Sequence, residues 1–497
     1  HLWMMCRISS SLILIASGSM EQKNGQTAAI VLPEAKKKCV QIGCVFLMLS
    51  VAMYGLVFAT LTAPILENVD AMGYVGLFSI FGAVGVSIMT PIGGKLGDLI
   101  GRRNIVVIPG LLCAVCGIAF AFVHALAPLM ILRLLIGLAQ GAFTAAPYII
   151  VGLINEKKDV PKAMGFLAAS ISVGGFAGSI IAGVLTDMGL LPAAIIMPAI
   201  PLLIGVVLIG CNLPNQKKEG KVMIDGWGMV TLVIALCGIL LALNFGSSLG
   251  FGHPAILAGF VIGIAALFLF IYVEGKVKEP LIPLRLFKNK NYMILLLIGL
   301  ICYFYQNAMN IYAPIGAMQV IGTSAGTAGA LQMPRMLLTI VLPAFAGAWV
   351  GKNSKNAWKS MVIGTALVVI PMAVMGFTTP ETNIAVYFVA LTVTGVAESF
   401  RAVSITPSAQ AMLTPEDMGI GTALVNFANS LAGTLSAAAY AVAYNVCTAE
   451  NPENKVYMQN GVNAVFWTAA IVTLIGLILV LTVVRSSMVR GKNQEEV

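Results

Sequence analysis

The feature that most constrains this 497-residue chain is a series of long apolar runs, which follow one another from residue 40 to residue 484. The hydrocarbon core of a bilayer is about 30 Å thick, so an α-helix needs about 20 apolar residues to cross it. Fourteen runs reach that length, near residues 40–66, 72–99, 105–124, 128–154, 163–186, 190–211, 226–248, 254–274, 292–321, 325–350, 358–378, 383–407, 418–445 and 461–484. The runs lack the alternation of barrel strands, and helices satisfy their own backbone groups in lipid. The sequence therefore predicts an all-α integral membrane protein with 14 transmembrane helices.

Composition excludes the other broad classes of protein. Apolar residues make up 59% of the chain and charged residues only 10%, whereas soluble proteins carry about 25% charged residues. A soluble enzyme, a disordered chain and a coiled coil are all incompatible with these values. The net charge of +9 comes from bases that lie between apolar runs, so it does not indicate nucleic acid as a partner.

The distribution of basic residues predicts the orientation. Of the 29 Lys and Arg residues, 23 lie on one set of alternate connections, and only Lys455 lies on the opposite set. Cytoplasmic loops carry the excess of Lys and Arg in membrane proteins. We therefore expect a multi-pass protein of the plasma membrane with both termini in the cytoplasm.

The N-terminal segment and the cysteines carry little functional signal. Residues 1–19 have an apolar core, Leu12 to Ala16, shorter than the roughly 7 to 15 residues of a signal peptide, and Met20 is the expected start. The nine cysteines are dispersed, and the pair Cys113 and Cys116 lies inside an apolar run, where packing is favoured over metal binding. No metal or cofactor is expected.

The connection between the second and third runs reads GGKLGDLIGRR over residues 93–103. Its glycines permit a tight turn, and its aspartate can pair with an arginine or a helix N-terminus to hold one gate shut. This sequence resembles the signature loop of the major facilitator superfamily, G-x-x-x-D-x-x-G-R-R. The resemblance implies a gate formed by Gly94, Asp98, Gly101, Arg102 and Arg103.

A degenerate copy of this loop at residues 347–355 implies two homologous six-helix halves. The resulting organisation is a cytoplasmic segment 1–39, a first half 40–211, a linker with two inserted helices 212–291, a second half 292–485 and a cytoplasmic tail 486–497. Fourteen spans, with DGWG at 225–228 and EPLIPLRLF at 279–287, resemble the fourteen-span drug:proton antiporter branch.

Two motifs of that branch are altered. Aligning its first-span motif on Pro64 puts Gly55 at the aspartate and Thr60 at the asparagine. Its fifth-span motif has Ser179 in place of proline and Ala182 in place of one glycine. The fourth-span motif is kept, and the resemblance implies a role for Arg133 in proton coupling.

A charged residue inside a span requires a structural or functional explanation, since its insertion costs about 2.5 to 3.5 kcal/mol at the centre of a transmembrane helix. Arg335 lies ten residues into its run, which at about 1.5 Å per residue predicts a position near the midplane. Glu398 and Arg401 are three residues apart and share a helix face. They form either an internal structural pair, which would leave Arg335 without an obvious partner, or a proton-coupling pair beside a positive site for an anion.

Polar stripes in two further runs are expected to face the bundle interior. Tyr303, Asn307 and Asn310 follow one helical face of the ninth run, and Asn426 lies on the thirteenth. Each amide serves either helix packing or substrate binding. We predict that Arg335, Tyr303, Asn307, Asn310 and Asn426 bind an amphipathic ligand.

The sequence therefore predicts a secondary active transporter, proton-coupled, that moves a small amphipathic and anionic organic solute by alternating access. A multidrug efflux proton antiporter is the alternative. The expected partners are the solute, protons and membrane lipid, with no nucleic acid, and the protein is expected to be a monomer. No span carries a catalytic motif such as H-E-x-x-H, so an enzyme is not expected.

Overall fold

The computed structural model describes residues 32–71, 75–215, 225–277, 280–323, 327, 330–414, 417–448 and 454–484. Within these ranges every regular element is a helix, which agrees with the all-α prediction. The predicted start at Met20, the tail 486–497 and parts of the linker 212–291 lie outside the described residues.

The first half of the chain forms eight helical segments. They are α1 (Glu34–Glu67), α2 (Val75–Ile100), α3 (Asn104–Phe120), α4 (Leu126–Thr144), α5 (Ala146–Ile154), α6 (Val160–Asp187), α7 (Leu191–Ile196) and α8 (Ala199–Asn212). Proline explains the two interruptions, because its ring cannot continue a helix without losing a hydrogen bond. Pro147 lies at the start of α5 and Pro198 immediately precedes α8, so each pair of segments occupies one predicted span.

The remaining helices follow the same order as the predicted runs. They are α9 (Gly226–Leu249), α10 (Pro254–Glu274), α11 (Arg285–Lys288), α12 (Lys290–Tyr303), α13 (Ala313–Ile315), α14 (Met333–Lys352), α15 (Ser354–Met375), α16 (Ile384–Ala402), α17 (Ile405–Gln410), α18 (Met418–Thr448) and α19 (Lys455–Leu479). Two π-helical turns, Ala308–Tyr312 and Gly316–Ile321, flank α13, and a third, Val480–Val484, follows α19.

In the described part of the chain, eleven helices are long and apolar enough to cross a membrane, and Asn104–Phe120 is a shorter apolar helix. α2 and α18, of 26 and 31 residues, are long helices that are not among the eleven. A helical protein that crosses the membrane many times is thus confirmed. The count of fourteen spans stays a prediction.

The core is divided between the two halves. One large cluster of buried apolar side chains runs from Val40 to Leu213 and belongs wholly to α1–α8 and their connections. A second cluster joins α2 to α9 and to several later helices, and a third lies among the helices that follow α12. α9 and α10 pack against each other, and α9 also contacts both α2 and α18.

Glycine allows the closest helix contacts, because only a residue without a side chain lets two backbones approach so far. A Cβ atom placed on Gly174 of α6 would lie 2.2 Å from the carbonyl oxygen of Leu49 on α1. Farther along the same helix, a Cβ atom on Gly183 would meet nothing within 4 Å.

We therefore expect Gly174→Ala to destabilise the protein by about 1 to 3 kcal/mol, the usual cost of overpacking, while Gly183→Ala has little effect. Thermal unfolding of both purified variants in the same detergent measures the difference. Equal melting temperatures for the two variants would contradict this packing of α1 on α6.

Candidate transport site and gate

A cavity of about 220 Å³ lies between the two halves. Its walls are formed by Tyr148, Met164, Ala168, Ile171 and Ser172 from the first half, and by Tyr303, Gln306, Thr339, Pro343, Glu398, Ser399, Ala402, Thr406, Asn426 and Asn429 from the second. A pocket with mostly apolar walls and a few polar groups is the usual form of a site for a small organic ligand.

Arg335 and Glu398 form an ion pair beside this cavity. Nη2 and Nε of Arg335 lie 3.0 Å and 3.3 Å from Oε2 of Glu398. Nη1 of Arg335 donates to Oδ1 of Asn310 at 2.6 Å and to Oε1 of Gln332 at 3.3 Å. The alternative of an internal Glu398/Arg401 pair would leave Arg335 without an obvious partner, but acceptors from three segments surround its guanidinium.

The position of Arg335 also differs from the sequence-based expectation. α14 begins at Met333, so Arg335 lies in the first turn of this helix and not ten residues into it. Its backbone nevertheless packs against α16, since a Cβ atom on Gly395 would lie 2.8 Å from the carbonyl oxygen of Arg335. The positive end of the α14 dipole therefore lies next to the guanidinium.

Arg401 is 2% exposed and lies on the other side of Glu398. Its Nη2 is 4.0 Å from Oε1 of Glu398, and its Nη1 donates to the carbonyl oxygen of Cys302. The guanidinium carbon lies 4.0 Å from the ring centroid of Tyr303 and 5.0 Å from that of Tyr305, within the range of cation–π contacts. One carboxylate thus lies between two guanidiniums, and the trio carries one net positive charge.

The structure separates the predicted ligand-binding residues into two groups. Tyr303 and Asn426 line the cavity, together with Gln306 and Asn429, which were not among the predicted site residues. Asn307 instead donates to the carbonyl oxygen of Gly433 at 2.6 Å and to Oγ of Ser436 at 2.9 Å, so it ties its segment to α18. Asn310 contacts Arg335, and neither of these two residues is part of the cavity wall, which Arg335 borders only through its partner Glu398.

This separation has a local cause. The segment after α12 is irregular and then forms a π-helical turn from Ala308 to Tyr312. A π-turn has a wider repeat than an α-helix. The α-helical repeat is thus interrupted twice, by the turn at residues 304–305 and by the π-turn, and the expectation that Tyr303, Asn307 and Asn310 share one face is wrong.

Arg133 lies apart from this trio. Its guanidinium carbon is 4.2 Å and 5.4 Å from the ring centroids of Phe58 and Phe78, and it does not line the cavity. The structure therefore does not bring Arg133 into contact with Glu398. The two altered motif positions in the same half do meet, because Oγ1 of Thr60 lies 3.2 Å from Oγ of Ser179.

The signature loop forms a closed contact between the halves. Asp98 and Arg102 form an ion pair that is largely buried, and Gly101 makes the turn with φ of +98°. A Cβ atom on Gly419 of α18 would lie 2.5 Å from Nη2 of Arg102 and 2.8 Å from Oδ1 of Asp98. Burial lowers the pKa of Arg102, and the Asp98 carboxylate opposes that shift.

The other loop residues contact neighbouring helices or adjacent residues. Gly94 fits against α18, since its Cβ atom would lie 2.6 Å from Cβ of Ala423. Arg103 donates through Nε to Oδ1 of Asn104 at 3.4 Å. Sequence reasoning missed Asn215, whose Nδ2 donates to the carbonyl oxygen of Ile100 at 3.1 Å. A contact across more than a hundred residues leaves no local signal in the sequence.

A second contact between the halves closes the same end of the bundle. A Cβ atom on Gly165 would lie 2.2 Å from the carbonyl oxygen of Pro343. One on Gly347 would lie 2.3 Å from that of Pro161, and one on Gly351 would lie 2.2 Å from that of Lys158. These contacts join α6 to α14 where both helices approach lysine-bearing connections. We call the end of the bundle where these lysine-bearing connections lie the lysine-rich end. The bundle is therefore closed at its lysine-rich end.

Comparison with known proteins agrees with this architecture. The sequence model described as Major Facilitator Superfamily matches residues 42–437. The chain is 26% identical over 412 residues to the multidrug transporter protein MdtP of Bacillus subtilis (strain 168), covering 81% of this chain and 74% of that protein. It is 24% identical over 403 residues to the riboflavin transporter RibZ of Clostridioides difficile (strain 630), covering 79% and 86%.

Among solved structures, the human organic anion transporter MFSD10 (TETRAN) has a similar fold. The TM-score is 0.63 at 14% sequence identity, with 90% of this chain and 99% of that chain covered. The family match spans most of the chain, and the helical bundle with its central cavity has the corresponding fold. The chain therefore belongs to the Major Facilitator Superfamily and is a multi-pass membrane transporter, not an enzyme.

Proposed function

We propose that this transporter moves a small amphipathic organic anion together with a proton across the cell membrane by alternating access. The observation that carries the proposal is the trio of Arg335, Glu398 and Arg401 beside the central cavity. One carboxylate cannot neutralise two guanidiniums, which stay charged at any physiological pH. An anionic group in the cavity would compensate the remaining charge.

The surroundings strengthen this attraction. The side chains of Arg335 and Arg401 are only 8% and 2% exposed, and charges attract more strongly where water is excluded. Arg401 Nε and Nη2 have no hydrogen-bond partner among the described residues. The N-terminus of α14 adds a favourable dipole for an anion.

Proton coupling follows from competition for the arginines. Glu398 lines the cavity and its side chain is 22% exposed, so it is the most accessible member of the trio. A bound anion would compete with Glu398 for Arg335. Glu398 would then lose a stabilising partner and accept a proton more readily, so anion and proton would travel in the same direction.

A multidrug efflux proton antiporter remains the alternative, and the similarity to MdtP favours it. Such a protein needs an available carboxylate for a cationic drug or a proton. The first-span aspartate is replaced by Gly55, and Glu398 is held between two arginines. These two observations favour the anion.

We also propose fourteen spans with cytoplasmic termini, divided as 40–211, 212–291 and 292–485. The closed lysine-rich end would then be the cytoplasmic end, and the structure would represent an outward-facing state. Asp98 and Arg102 under Gly419 would hold that gate shut.

Topology can be tested by labelling single cysteines in a background without the nine native ones. Lys355 and Lys455 are both exposed and lie on connections that we assign to opposite sides. A membrane-impermeant maleimide should label Lys455→Cys in intact cells and Lys355→Cys only after permeabilisation. The reverse pattern would refute the orientation.

The gate can be tested with Asp98→Asn, which removes the charge that pairs with Arg102. We expect normal expression and slower uptake. The ratio of closed to open cytoplasmic ends should fall on the order of tenfold, the change in an equilibrium constant that about 1.4 kcal/mol produces. Asp187→Asn changes an exposed carboxyl at the far end of α6 and serves as the matched control. Wild-type uptake in the Asp98 variant would mean that the loop has no gating role.

The trio can be tested with Arg335→Lys and Glu398→Gln in proteoliposomes screened with organic anions under an imposed pH gradient. Arg335→Lys replaces the fork of donors that an anion would share with Glu398 by a single ammonium group. It should weaken anion binding about 10- to 100-fold, since a hydrogen bond to a charged group contributes about 1.5 to 3 kcal/mol. Glu398→Gln should retain binding and lose pH-driven accumulation. Arg133→Lys, which alters an arginine outside the cavity, should leave anion binding unchanged. Normal accumulation in the Gln variant would reduce the trio to a structural role.

A further inference from the structure

A second cavity, of about 460 Å³, lies at the lysine-rich end of the first half, away from the transport site. The start of α1, the end of α5 and the start of α6 form its walls. The lining residues are Glu34, Lys37, Lys38, Gln41, Ile42, Val45, Val151, Asn155, Asp159, Lys162, Ala163, Phe166 and Leu167. We call this feature the α1–α6 groove.

One end of the groove is basic. Lys37, Lys38 and Lys162 contribute three ammonium groups, and Glu34 and Asp159 contribute two carboxylates, so the lining is net positive. Within the described residues none of these three lysines forms an ion pair. Lys158, in the connection next to the groove, is instead bound to Glu156 at 2.7 Å. The groove thus presents ammonium groups that are available to an external anion.

The other end of the groove is apolar and open. Ile42 and Phe166 are 49% and 48% exposed, with Val45 and Leu167 behind them. Both residues lie on helices long and apolar enough to cross the membrane, so we expect their exposed surfaces to face lipid. Between the two ends, Nε2 of Gln41 donates to Oδ1 of Asn155 at 2.7 Å and closes the floor.

Ammonium groups at the level of the headgroups, continuous with an apolar wall at the level of the acyl chains, match one kind of molecule. We propose that the α1–α6 groove binds an anionic phospholipid, with its phosphate on Lys37, Lys38 and Lys162 and an acyl chain along Ile42 and Phe166. Basic pockets between transmembrane helices at this interface suit anionic headgroups. A free anion would contact the lysines, but the apolar wall would contribute nothing to its binding.

The groove shares a segment with the contact that closes the lysine-rich end. Asn155 and Asp159 line the groove, and between them the carbonyl oxygen of Lys158 lies against Gly351 of α14. A lipid that fixes this segment would stabilise the closed contact. This consequence for the gate depends on the proposed transport cycle, whereas lipid binding itself does not.

The experiment compares lipid binding of the full-length protein in detergent, by native mass spectrometry and by thermal stabilisation. The probes are dioleoyl phosphatidylglycerol, dioleoyl phosphatidylcholine and inorganic phosphate. The groove variant combines Lys37→Ala, Lys38→Ala and Lys162→Ala. The control combines Lys352→Ala, Lys355→Ala and Lys359→Ala, which removes the same charge from a connection in the second half.

We expect the wild type to bind phosphatidylglycerol in preference to phosphatidylcholine. The groove variant should bind phosphatidylglycerol at least about tenfold more weakly, since each lysine near an anionic surface contributes to affinity, and the control should stay within about twofold of the wild type. Phe166→Ser should also weaken lipid binding, through the apolar wall alone.

Three results would overturn the proposal. Equal losses in the two triple variants would show attraction to surface charge in general. Unchanged binding in the groove variant would place the lipid elsewhere. Stabilisation by inorganic phosphate equal to that by phosphatidylglycerol, with no effect of Phe166→Ser, would identify a free anion as the occupant. None of these readouts requires transport, so they are independent of the anion-symport proposal.

Discussion

The requirement that every backbone carbonyl inside the membrane find a donor governs the site. The segment that follows α12 leaves the α-helical repeat between Tyr303 and the π-turn at Ala308–Tyr312. Its carbonyl groups therefore cannot all rely on the donors that an α-helix provides. Side chains from elsewhere supply the missing donors. Arg401 donates to the carbonyl oxygen of Cys302, Tyr440 to that of Phe304 at 2.8 Å, and Gln332 to that of Met309 at 2.8 Å.

These hydrogen bonds from side chains to backbone carbonyls explain why charged residues can lie so deep. Arg401 satisfies a freed carbonyl, stacks on Tyr303 and lies within ion-pair distance of Glu398, so its burial is compensated by several contacts. Gln332 in turn accepts from Arg335. The irregular segment and the charged trio therefore stabilise each other, and removing either would leave buried polar groups without partners.

Local and tertiary contacts in this site differ in how far the sequence predicts them. Asp98 and Arg102 are only four residues apart, on either side of the turn at Gly101, so their pairing is a local contact that the motif predicts. The length of the apolar runs follows from bilayer thickness. The break after α12 and the π-turns have no such signature, and in this segment Asn307 packs on α18 while Gln306 lines the cavity. Tertiary contacts such as that of Asn215 with the signature loop could not be predicted from the sequence either.

The cavity is chemically asymmetric, and this bears on how alternating access would work. The first half contributes mostly apolar side chains such as Met164, Ala168 and Ile171, whereas the second half contributes Glu398, Gln306 and two asparagines. The first helix has Gly55 where the resemblance to the fourteen-span branch would place an aspartate, and Thr60 and Ser179 contact each other. An amphipathic anion would therefore bind with its charged group on the second half and its apolar part against the first. Because apolar contacts are not directional, the first half could move across the ligand while the second half holds it, as the rocking of one half against the other requires.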